Sequence, residues 1–230
     1  SDEAGAGVLM DVNEYLLVAN DFIEKEYLVV LGEIEKDFGV PLKKVMNKGK
    51  KFRPMLTLLC CEACGGTRQE ALDFAITMEL IHNSTLAHDD VLDQDLLRRG
   101  EPALFVAATI GKAILTGDAG FARALNIISK YGPRATQAGA ACIYALARGC
   151  VKEAMDKFPG LRVADPYLEI ALLKTASLFS LSCQLGAIAH YAPPEREDAC
   201  REYGKNIGLA YQIADDYVDL VKTIQTGDPH

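Results

Sequence analysis

Long hydrophobic runs are absent from this sequence, and basic residues are in the minority. No apolar stretch approaches the roughly 20 residues that cross a membrane, and the first residues carry no secretory signal. Lys and Arg number 24 against 32 Asp and Glu, which gives a net charge of −8. An acidic balance argues against general nucleic-acid binding, which requires a basic face. We therefore predict neither a transmembrane segment nor a nucleic-acid partner, whereas an anionic small substrate stays open because bound metal ions can invert the local charge.

A paired-cysteine framework and a zinc-ligand pattern are also missing. The seven cysteines are an odd number, which fits a reducing compartment, so we predict a cytoplasmic protein. Cys60, Cys61 and Cys64 lie close together in the sequence, but no second group of ligands has zinc spacing. We interpret the three as small residues that are buried on a helix.

The alternation of polar and apolar residues that marks β-strands is lacking as well. Half of the 230 residues are hydrophobic, and they recur at helical spacing along nearly the whole chain. The sequence therefore predicts one all-α domain over residues 1–230, a single-domain helical bundle of about ten helices around a central cavity.

Capping residues and helix breakers set the expected helix limits. Thr67 and Glu70 form a plausible capping box for a long helix that ends near Gln94. Gly117-Asp118 is expected to begin a new helix. Asp165-Pro166 combines an N-cap residue with a proline at the first helical position, which predicts a further helix start.

Two acidic clusters with the same spacing stand far apart in the chain. Residues 89–93 and 215–219 each read Asp-Asp-x-x-Asp and follow an apolar stretch with helical periodicity. Residues four apart share one helix face, so Asp89 projects with Asp93, and Asp215 with Asp219. Carboxylates gathered in this way repel one another unless cations lie between them. The pattern predicts hard divalent ions, and Mg²⁺ usually shares its shell with phosphate oxygens.

The helix that leads into the first cluster is unusually polar for a central helix. Its apolar residues from Phe74 to Leu92 predict burial, yet it also contains many polar groups. These are Glu79, His82, Asn83, Ser84, Thr85 and His88. Each unpaired polar group costs about a few kcal/mol when buried, so we expect this helix to line a cavity.

Three further elements stand in a fixed order around the acidic clusters. They are Gly49-Lys50-Lys51-Phe52-Arg53-Pro54, Glu79-Leu80-Ile81-His82 and Lys174-Thr175-Ala176-Ser177-Leu178-Phe179. The first cluster is followed by Leu97-Arg98-Arg99-Gly100, and the second is preceded by Gln212-Ile213-Ala214. With these motifs the chain resembles the trans-polyprenyl diphosphate synthases over about residues 15–220. One acidic cluster is weak support for such a resemblance, whereas five ordered elements around two clusters are strong.

The resemblance implies a head-to-tail condensation of isopentenyl diphosphate with an allylic diphosphate. It also implies Mg²⁺ as the cofactor, with three ions bound together with the substrate diphosphate. Direct metal ligands would be Asp89, Asp93 and Asp215. The remaining acidic residues, which would hold metal-bound water or orient the ligands, are Asp90, Asp216 and Asp219.

The basic residues divide into two groups under this resemblance. Arg98 would bind the allylic diphosphate beside the metal ions. The metal-free pocket for isopentenyl diphosphate would contain Lys50, Lys51, Arg53, His82 and Arg99. Lys51 stands where the family usually has Arg, so the charge is kept but bidentate phosphate binding is lost.

Three polar side chains further along the chain would act in catalysis. Lys174, Thr175 and Gln212 resemble residues whose polar atoms face the allylic diphosphate and the nascent cation. Fixed dipoles of this kind stabilise a cation without trapping it as a nucleophile would.

Small residues before the first cluster bear on product length. In the family that is resembled, residues about one turn before the first aspartate form the floor of the product tunnel. Here these residues are Ser84 and Thr85, with Ile81 deeper, and none of them is a large aromatic. The first cluster also lacks the two-residue insertion of many short-chain members. A product of C20 or longer is therefore expected.

Two other functions stay open, and both would use this fold. A class I terpene cyclase also ionises a diphosphate with an Asp-rich helix, but it does not explain the isopentenyl-binding residues. A non-catalytic partner subunit is disfavoured by the intact acidic motifs. The resemblance further implies a homodimer, and it implies C-terminal helices beyond the residues that follow Asp219.

Overall fold

The computed structural model describes residues 11–156 and 167–226, most of which lie in helices. The helices are α1 (Val12–Phe38), α2 (Leu42–Met46), α3 (Phe52–Ala63), α4 (Arg68–Asp93), α5 (Leu104–Ala107), α6 (Ile110–Ser129), α7 (Pro133–Asp156), α8 (Tyr167–Ala171), α9 (Ser177–Ala189) and α10 (Pro194–Thr226). A π-helical turn, Leu172–Ala176, joins α8 to α9. The all-α prediction is confirmed. The expected helix start at Asp165-Pro166 lies outside the described residues.

Helix α4 is the central helix, and its ends follow from local chemistry. The Thr67 hydroxyl accepts from the Glu70 backbone N–H, while the Glu70 carboxylate accepts from the Thr67 N–H, so the predicted capping box is present. At the other end Gln94 adopts a left-handed conformation with φ of 59°. Between these ends α4 packs against α3, α6 and α9 and buries Phe74 and Met78 completely. This packing holds the first acidic cluster at the C-terminal end of a rigid element.

The predicted helix start at Gly117-Asp118 is wrong, because both residues lie inside α6. That helix begins after Thr109, whose hydroxyl accepts from the Lys112 N–H and caps it. Gly117 serves close packing instead: a Cβ there would meet Nε2 of His88 at 2.3 Å. The absence of a side chain therefore lets α6 approach α4 beside Asp89.

A short β-hairpin follows α4 and was not predicted from the sequence. Strand β1 (Leu97–Arg98) pairs antiparallel with β2 (Glu101–Pro102). The two turn residues have positive φ, 53° at Arg99 and 77° at Gly100, as in the tight turns that suit the strand twist. The hairpin places Arg98 and Arg99 in defined positions.

Contrary to the expectation from the sequence that no apolar stretch approaches this length, Tyr167–Ala189 is long and apolar enough to cross a membrane by length and composition. In the fold, 61% of its most apolar window is buried, and α9 packs against α3, α4 and α10. Such burial is typical of a core helix. Its packing brings the π-helical turn, with Lys174 and Thr175, between α7 and α10.

Candidate active site

A cavity of about 710 Å³ brings together all six predicted substrate-binding residues. It lies between the start of α3, the middle of α4, the hairpin and α10. The predicted residues that line it are Lys50, Lys51, Arg53, His82, Arg98, Arg99, Thr175, Gln212 and Asp215. The structure therefore brings the basic motifs and part of the second acidic cluster to one place, although they are scattered through the sequence.

His82 occupies the centre of the basic side of this cavity. Its Nε2 atom lies 3.4 Å from Nη1 of Arg53 and 3.3 Å from Nη2 of Arg99. Guanidinium groups only donate hydrogen bonds, so Nε2 must accept and the imidazole must be neutral. Burial, together with the charges of the two arginines, holds the pKa of His82 well below its usual value. His82 thus orients both arginines without adding charge.

The loop before α3 is shaped to admit Arg99. Gly49 has φ of +123°, and a Cβ at this position would lie 2.7 Å from the Arg99 guanidinium. The Arg99 guanidinium donates to the backbone carbonyl of Lys48. Lys51 caps α3 in a left-handed conformation, and its Nζ donates to the Asn47 carbonyl at 3.0 Å. These contacts tie the basic loop to the hairpin.

Glu79 is a buried acid beside the basic residues, and no role of its own was predicted for it. Its side chain lines the cavity, the residue is 1% exposed, and Oε1 accepts from Asn83 at 3.0 Å. Burial raises the pKa of Glu79, and the charges of Arg99, Lys51 and Arg53 oppose that rise. One carboxylate therefore lies among several cations.

A smaller cavity of about 210 Å³ contains the first acidic cluster. Asp89 and Asp93 line it together with Cys150, Glu153 and Lys174. The Lys174 ammonium lies 2.6 Å from the Glu153 carboxylate and 3.7 Å from Asp89. Burial opposes protonation of Lys174, but the hydrogen bond to Glu153 and the charge of Asp89 raise its pKa overall.

The π-helical turn serves both cavities with adjacent residues. Lys174 faces the smaller cavity, whereas Thr175 lines the larger one and its hydroxyl donates to the Gln212 amide oxygen. The Gln212 amide nitrogen in turn donates to Asp216 at 2.8 Å. Single π turns inside helices occur frequently at functional sites, and this one connects the three predicted catalytic residues to both acidic clusters.

Asp90 and Arg98 form an ion pair behind the cluster. Nε of Arg98 donates to Oδ1 of Asp90 at 2.7 Å, and its Nη2 reaches Asp95 at 2.8 Å. The Asp90 side chain is only 3% exposed. Burial raises the pKa of Asp90, while the Arg98 hydrogen bond works against that rise. Asp90 therefore orients Arg98 at the edge of the larger cavity.

The second acidic cluster lies on α10 and is more exposed than the first. Asp215 lines the larger cavity. Asp216 accepts from the Tyr167 hydroxyl as well as from Gln212. Asp219 accepts from Lys222 at 3.1 Å. Of the three aspartates, Asp215 is thus the one that contributes to the wall of the described cavity.

The donor atoms of the two clusters suit a hard divalent ion. In residues 11–156 and 167–226, no three His, Cys, Asp or Glu side chains are arranged to hold a metal ion by themselves. Asp89 and Asp215 instead offer carboxylates from two different helices. Mg²⁺ characteristically takes one or two carboxylates and completes its shell with water and substrate phosphate. These residues therefore fit magnesium that arrives with a diphosphate.

The predicted chain-length residues are all buried within α4. Ile81 is 0%, Ser84 2% and Thr85 7% exposed. Ser84 faces α6, where a Cβ at Gly120 would overlap its hydroxyl. Neither of the two cavities described above is lined by these residues, and their part in product length stays a prediction.

Two residues of α7 belong to the site but were not anticipated. Cys150 donates to Asp89 at 3.4 Å, and Glu153 pairs with Lys174. Burial raises the pKa of the Cys150 thiol to about 12, so it remains protonated. Their spacing of three residues on one helix face was the available signal, but no motif marked it. The other candidate group, Cys60, Cys61 and Cys64, is buried, as predicted, with Cys64 at the C-cap of α3.

Comparison with known proteins identifies the family of this chain. The polyprenyl synthetase family model matches residues 35–229. The short chain isoprenyl diphosphate synthase of Methanothermobacter thermautotrophicus is 39% identical over 178 residues, which are 75% of this chain and 55% of that protein. The geranylgeranyl diphosphate synthase of Methanosarcina mazei is 35% identical over 179 residues, again 75% of this chain and 55% of the relative. The chain thus spans about half the length of these two relatives.

Solved structures share the fold. The crystal structure of a decaprenyl diphosphate synthase from Rhodobacter capsulatus superposes with a TM-score of 0.77 at 30% sequence identity. The match covers 89% of this chain and 65% of that one. The helical arrangement described here is therefore that of known prenyl diphosphate synthases.

Proposed function

This chain belongs to the polyprenyl synthetase family, and from that premise we propose that it is a prenyltransferase. The proposed reaction joins isopentenyl diphosphate head-to-tail to an allylic diphosphate and gives a product of C20 or longer. One observation carries the proposal: the larger cavity combines a basic wall with Thr175, Gln212 and Asp215. Lys174, which precedes Thr175, lines the cavity of the first acidic cluster. Two anionic substrates could thus be held side by side.

The allylic diphosphate would occupy the acidic side of the site. Asp89, Asp93 and Asp215 would hold Mg²⁺, for which we propose three ions bound together with the diphosphate. When bound, the metal would neutralise the charge that develops on the leaving diphosphate. Arg98, which Asp90 orients, would contact the same diphosphate, and Lys174 would add a second positive charge beside Asp89.

Isopentenyl diphosphate would occupy the basic side without metal. Arg53 and Arg99 present planar donor groups that match phosphate oxygens, and His82 keeps them apart and oriented. Lys50 and Lys51 supply further positive charge from the loop before α3. This arrangement would direct the double bond toward the acidic side.

The chemistry that follows is ionisation, condensation and elimination. The C–O bond of the allylic diphosphate breaks, and pyrophosphate leaves with the electron pair. The isopentenyl double bond then attacks the allylic cation and forms the new C–C bond, after which a proton departs to pyrophosphate. The Thr175 hydroxyl and the Gln212 amide, already linked to each other, would present fixed dipoles to the cation.

The basic wall also separates this proposal from its alternatives. A class I terpene cyclase ionises one diphosphate and has no need of a second, metal-free anion pocket. A non-catalytic subunit has no need of the lysine that lies between Asp89 and Glu153. The same geometry therefore supports prenyl transfer over both.

One assay distinguishes the three functions. Purified protein is incubated with Mg²⁺, an allylic diphosphate and labelled isopentenyl diphosphate, and the products are separated by chain length. Label in C20 or longer products supports the proposal, whereas products that stop at C15 contradict the proposed length. Consumption of the allylic diphosphate without label incorporation indicates a cyclase, and no turnover indicates a partner subunit.

We further propose a homodimer in a reducing, cytoplasmic environment. Exposed apolar side chains such as Ile110 (54%) and Leu115 (59%) on α6 are of the kind that a subunit interface buries. The cysteines are free, which suits a reducing compartment. Size-exclusion chromatography followed by light scattering measures the molar mass of the protein in solution and so its oligomeric state.

A further inference from the structure

The buried carboxylate of Glu79 lies where an anion pocket should be purely positive. It lines the same cavity as Lys51, Arg53 and Arg99, and the residue is 1% exposed. A negative charge on the floor of a diphosphate site weakens diphosphate binding by simple repulsion. Its presence therefore requires another explanation.

The contacts of Asn83 tie Glu79 to two other helices. The amide nitrogen of Asn83, one turn further along α4, lies 3.0 Å from the Glu79 carboxylate, 2.7 Å from the Tyr27 hydroxyl of α1 and 3.1 Å from the Met46 carbonyl of α2. Tyr27 and Asn83 are 0% and 3% exposed. The carboxylate is thus fixed at one position and cannot swing out to solvent.

Glu79 and the cations line one cavity, where their charges act on one another. Burial lowers the pKa of Arg53, and Glu79 is the largest influence that counteracts it. His82, which lies between Arg53 and Arg99, is neutral and offsets no charge. Lys51 is buried and Arg53 is half-buried, and a cation that is withdrawn from water without compensation destabilises the fold. Glu79 supplies the compensation from below.

We propose that Glu79 is a resident counter-anion, which keeps the metal-free basic pocket assembled until a diphosphate takes over its electrostatic role. The inference rests on the proposed function, because the anion that takes over is the diphosphate of the substrate. Glu79 is a positioning residue in this scheme: it acts through Lys51, Arg53 and Arg99. It stabilises the empty pocket and lowers the affinity of the filled one, which eases release.

The test compares Glu79→Gln with the unchanged protein in the presence of EDTA, which removes divalent metal ions so that no anion binds at the metal-dependent site. Glutamine keeps the shape and can still accept from Asn83, but it removes the charge. Thermal unfolding is followed without ligand, with inorganic pyrophosphate and with isopentenyl diphosphate, and affinities are measured by calorimetry. We expect E79Q to melt lower without ligand, to bind both anions about tenfold tighter and to recover most of its melting temperature when they saturate it.

Two further variants control the result. Glu24→Gln removes a half-buried carboxylate that accepts from Asn47 and does not line the cavity. The affinity of this variant for both anions should equal that of the unchanged protein. Glu79→Asp keeps the charge, so it should bind with the affinity of the unchanged protein even if it is less stable. If E79Q does not fold, the test rests on the affinity of E79D for the two anions. Weaker binding by E79D would mean that the length of the side chain matters and not its charge, which overturns the counter-anion role.

The outcomes separate the two proposals. Unchanged or weaker anion binding by E79Q, or an equal loss of melting temperature with and without ligand, overturns the counter-anion role. If the unchanged protein binds pyrophosphate and isopentenyl diphosphate with equal affinity, and E79Q behaves as expected, the counter-anion role is supported but the proposed substrate is contradicted. A protein that binds neither anion overturns both.

Discussion

Nζ of Lys174 lies 3.7 Å from Oδ2 of Asp89, across the cavity between α4 and the π-helical turn. The same ammonium is held by Glu153 at 2.6 Å. A lysine fixed in this way contributes a positive charge at the point where the leaving diphosphate would meet the first acidic cluster. The relationship ties a residue of the proposed chemistry to a proposed metal ligand.

Removing this charge should slow the reaction. We expect Lys174→Gln to lower kcat/KM for the allylic diphosphate by about 10²-fold, the usual effect of losing one preorganised electrostatic contact. Steady-state kinetics measure it. Lys152→Gln is the matched control, because Lys152 pairs with Glu169 at 2.9 Å outside both cavities. An equal effect of the two substitutions would show that general surface charge, not the position of Lys174, is responsible.

The ion pair behind the cluster gives a stability prediction. Arg98→Met leaves the buried carboxylate of Asp90 unpaired, which should reduce the free energy of unfolding by about 3 kcal/mol. Asp90→Asn combined with R98M should recover most of that loss, because the unpaired charge is then gone. Urea denaturation of the two single variants and the double variant measures the coupling. Additive losses would contradict a direct pair.

His82 predicts how stability depends on pH. Its pKa is held well below the usual value in the folded state, so the unfolded state, with a pKa near 6.5, binds the proton more readily. The contribution of neutral His82 to the free energy of unfolding is therefore fully present at higher pH. It is lost as the pH falls below about 6.5, by up to about 1.4 kcal/mol per pH unit. His82→Gln should flatten this dependence between pH 7 and pH 5 in urea titrations.

His190→Gln provides the reference for that comparison. His190 lies outside the cavity and contacts Glu70 at 3.3 Å. If H82Q and H190Q give the same pH slope as each other, His82 is not the group that couples protonation to folding.

Product length tests the role of α4. Ser84→Phe places an aromatic ring one turn before the first cluster, and we expect products shorter than those of the unchanged enzyme. Ser84→Ala, which removes only the hydroxyl, should leave the length distribution unchanged. Because Ser84 packs against Gly120 of α6, the melting temperature of S84F must be checked alongside. An S84F enzyme that folds and makes the same products would remove this face of α4 from the account.

Local chemistry explains which parts of the fold could be predicted. The capping box at Thr67 fixed the start of α4, and apolar periodicity carried it to the acidic cluster. The predicted helix start at Gly117 was wrong, because a sequence does not show whether a glycine stands at a helix end or permits close packing, here of His88. The true cap, Thr109, gave a weaker signal.

The sequence predicted which residues form the site, but it did not predict how they are arranged. Motifs identified Arg53, His82 and Arg99, yet their contacts depend on how α3, α4 and the hairpin pack. The π-helical turn, which sends Lys174 and Thr175 into different cavities, leaves no trace in composition. Glu153 and Cys150 lie on a helix without a motif and enter the site only through tertiary packing.

The most direct test of the central claim is Mg²⁺-dependent incorporation of labelled isopentenyl diphosphate into an allylic primer, measured for the purified protein and for Asp89→Ala and Asp215→Ala. We predict incorporation that requires Mg²⁺ and falls by at least about 10²-fold in each variant, since each loses a proposed metal ligand. Incorporation that persists in both folded variants, or that does not respond to removal of Mg²⁺, would contradict the proposed mechanism.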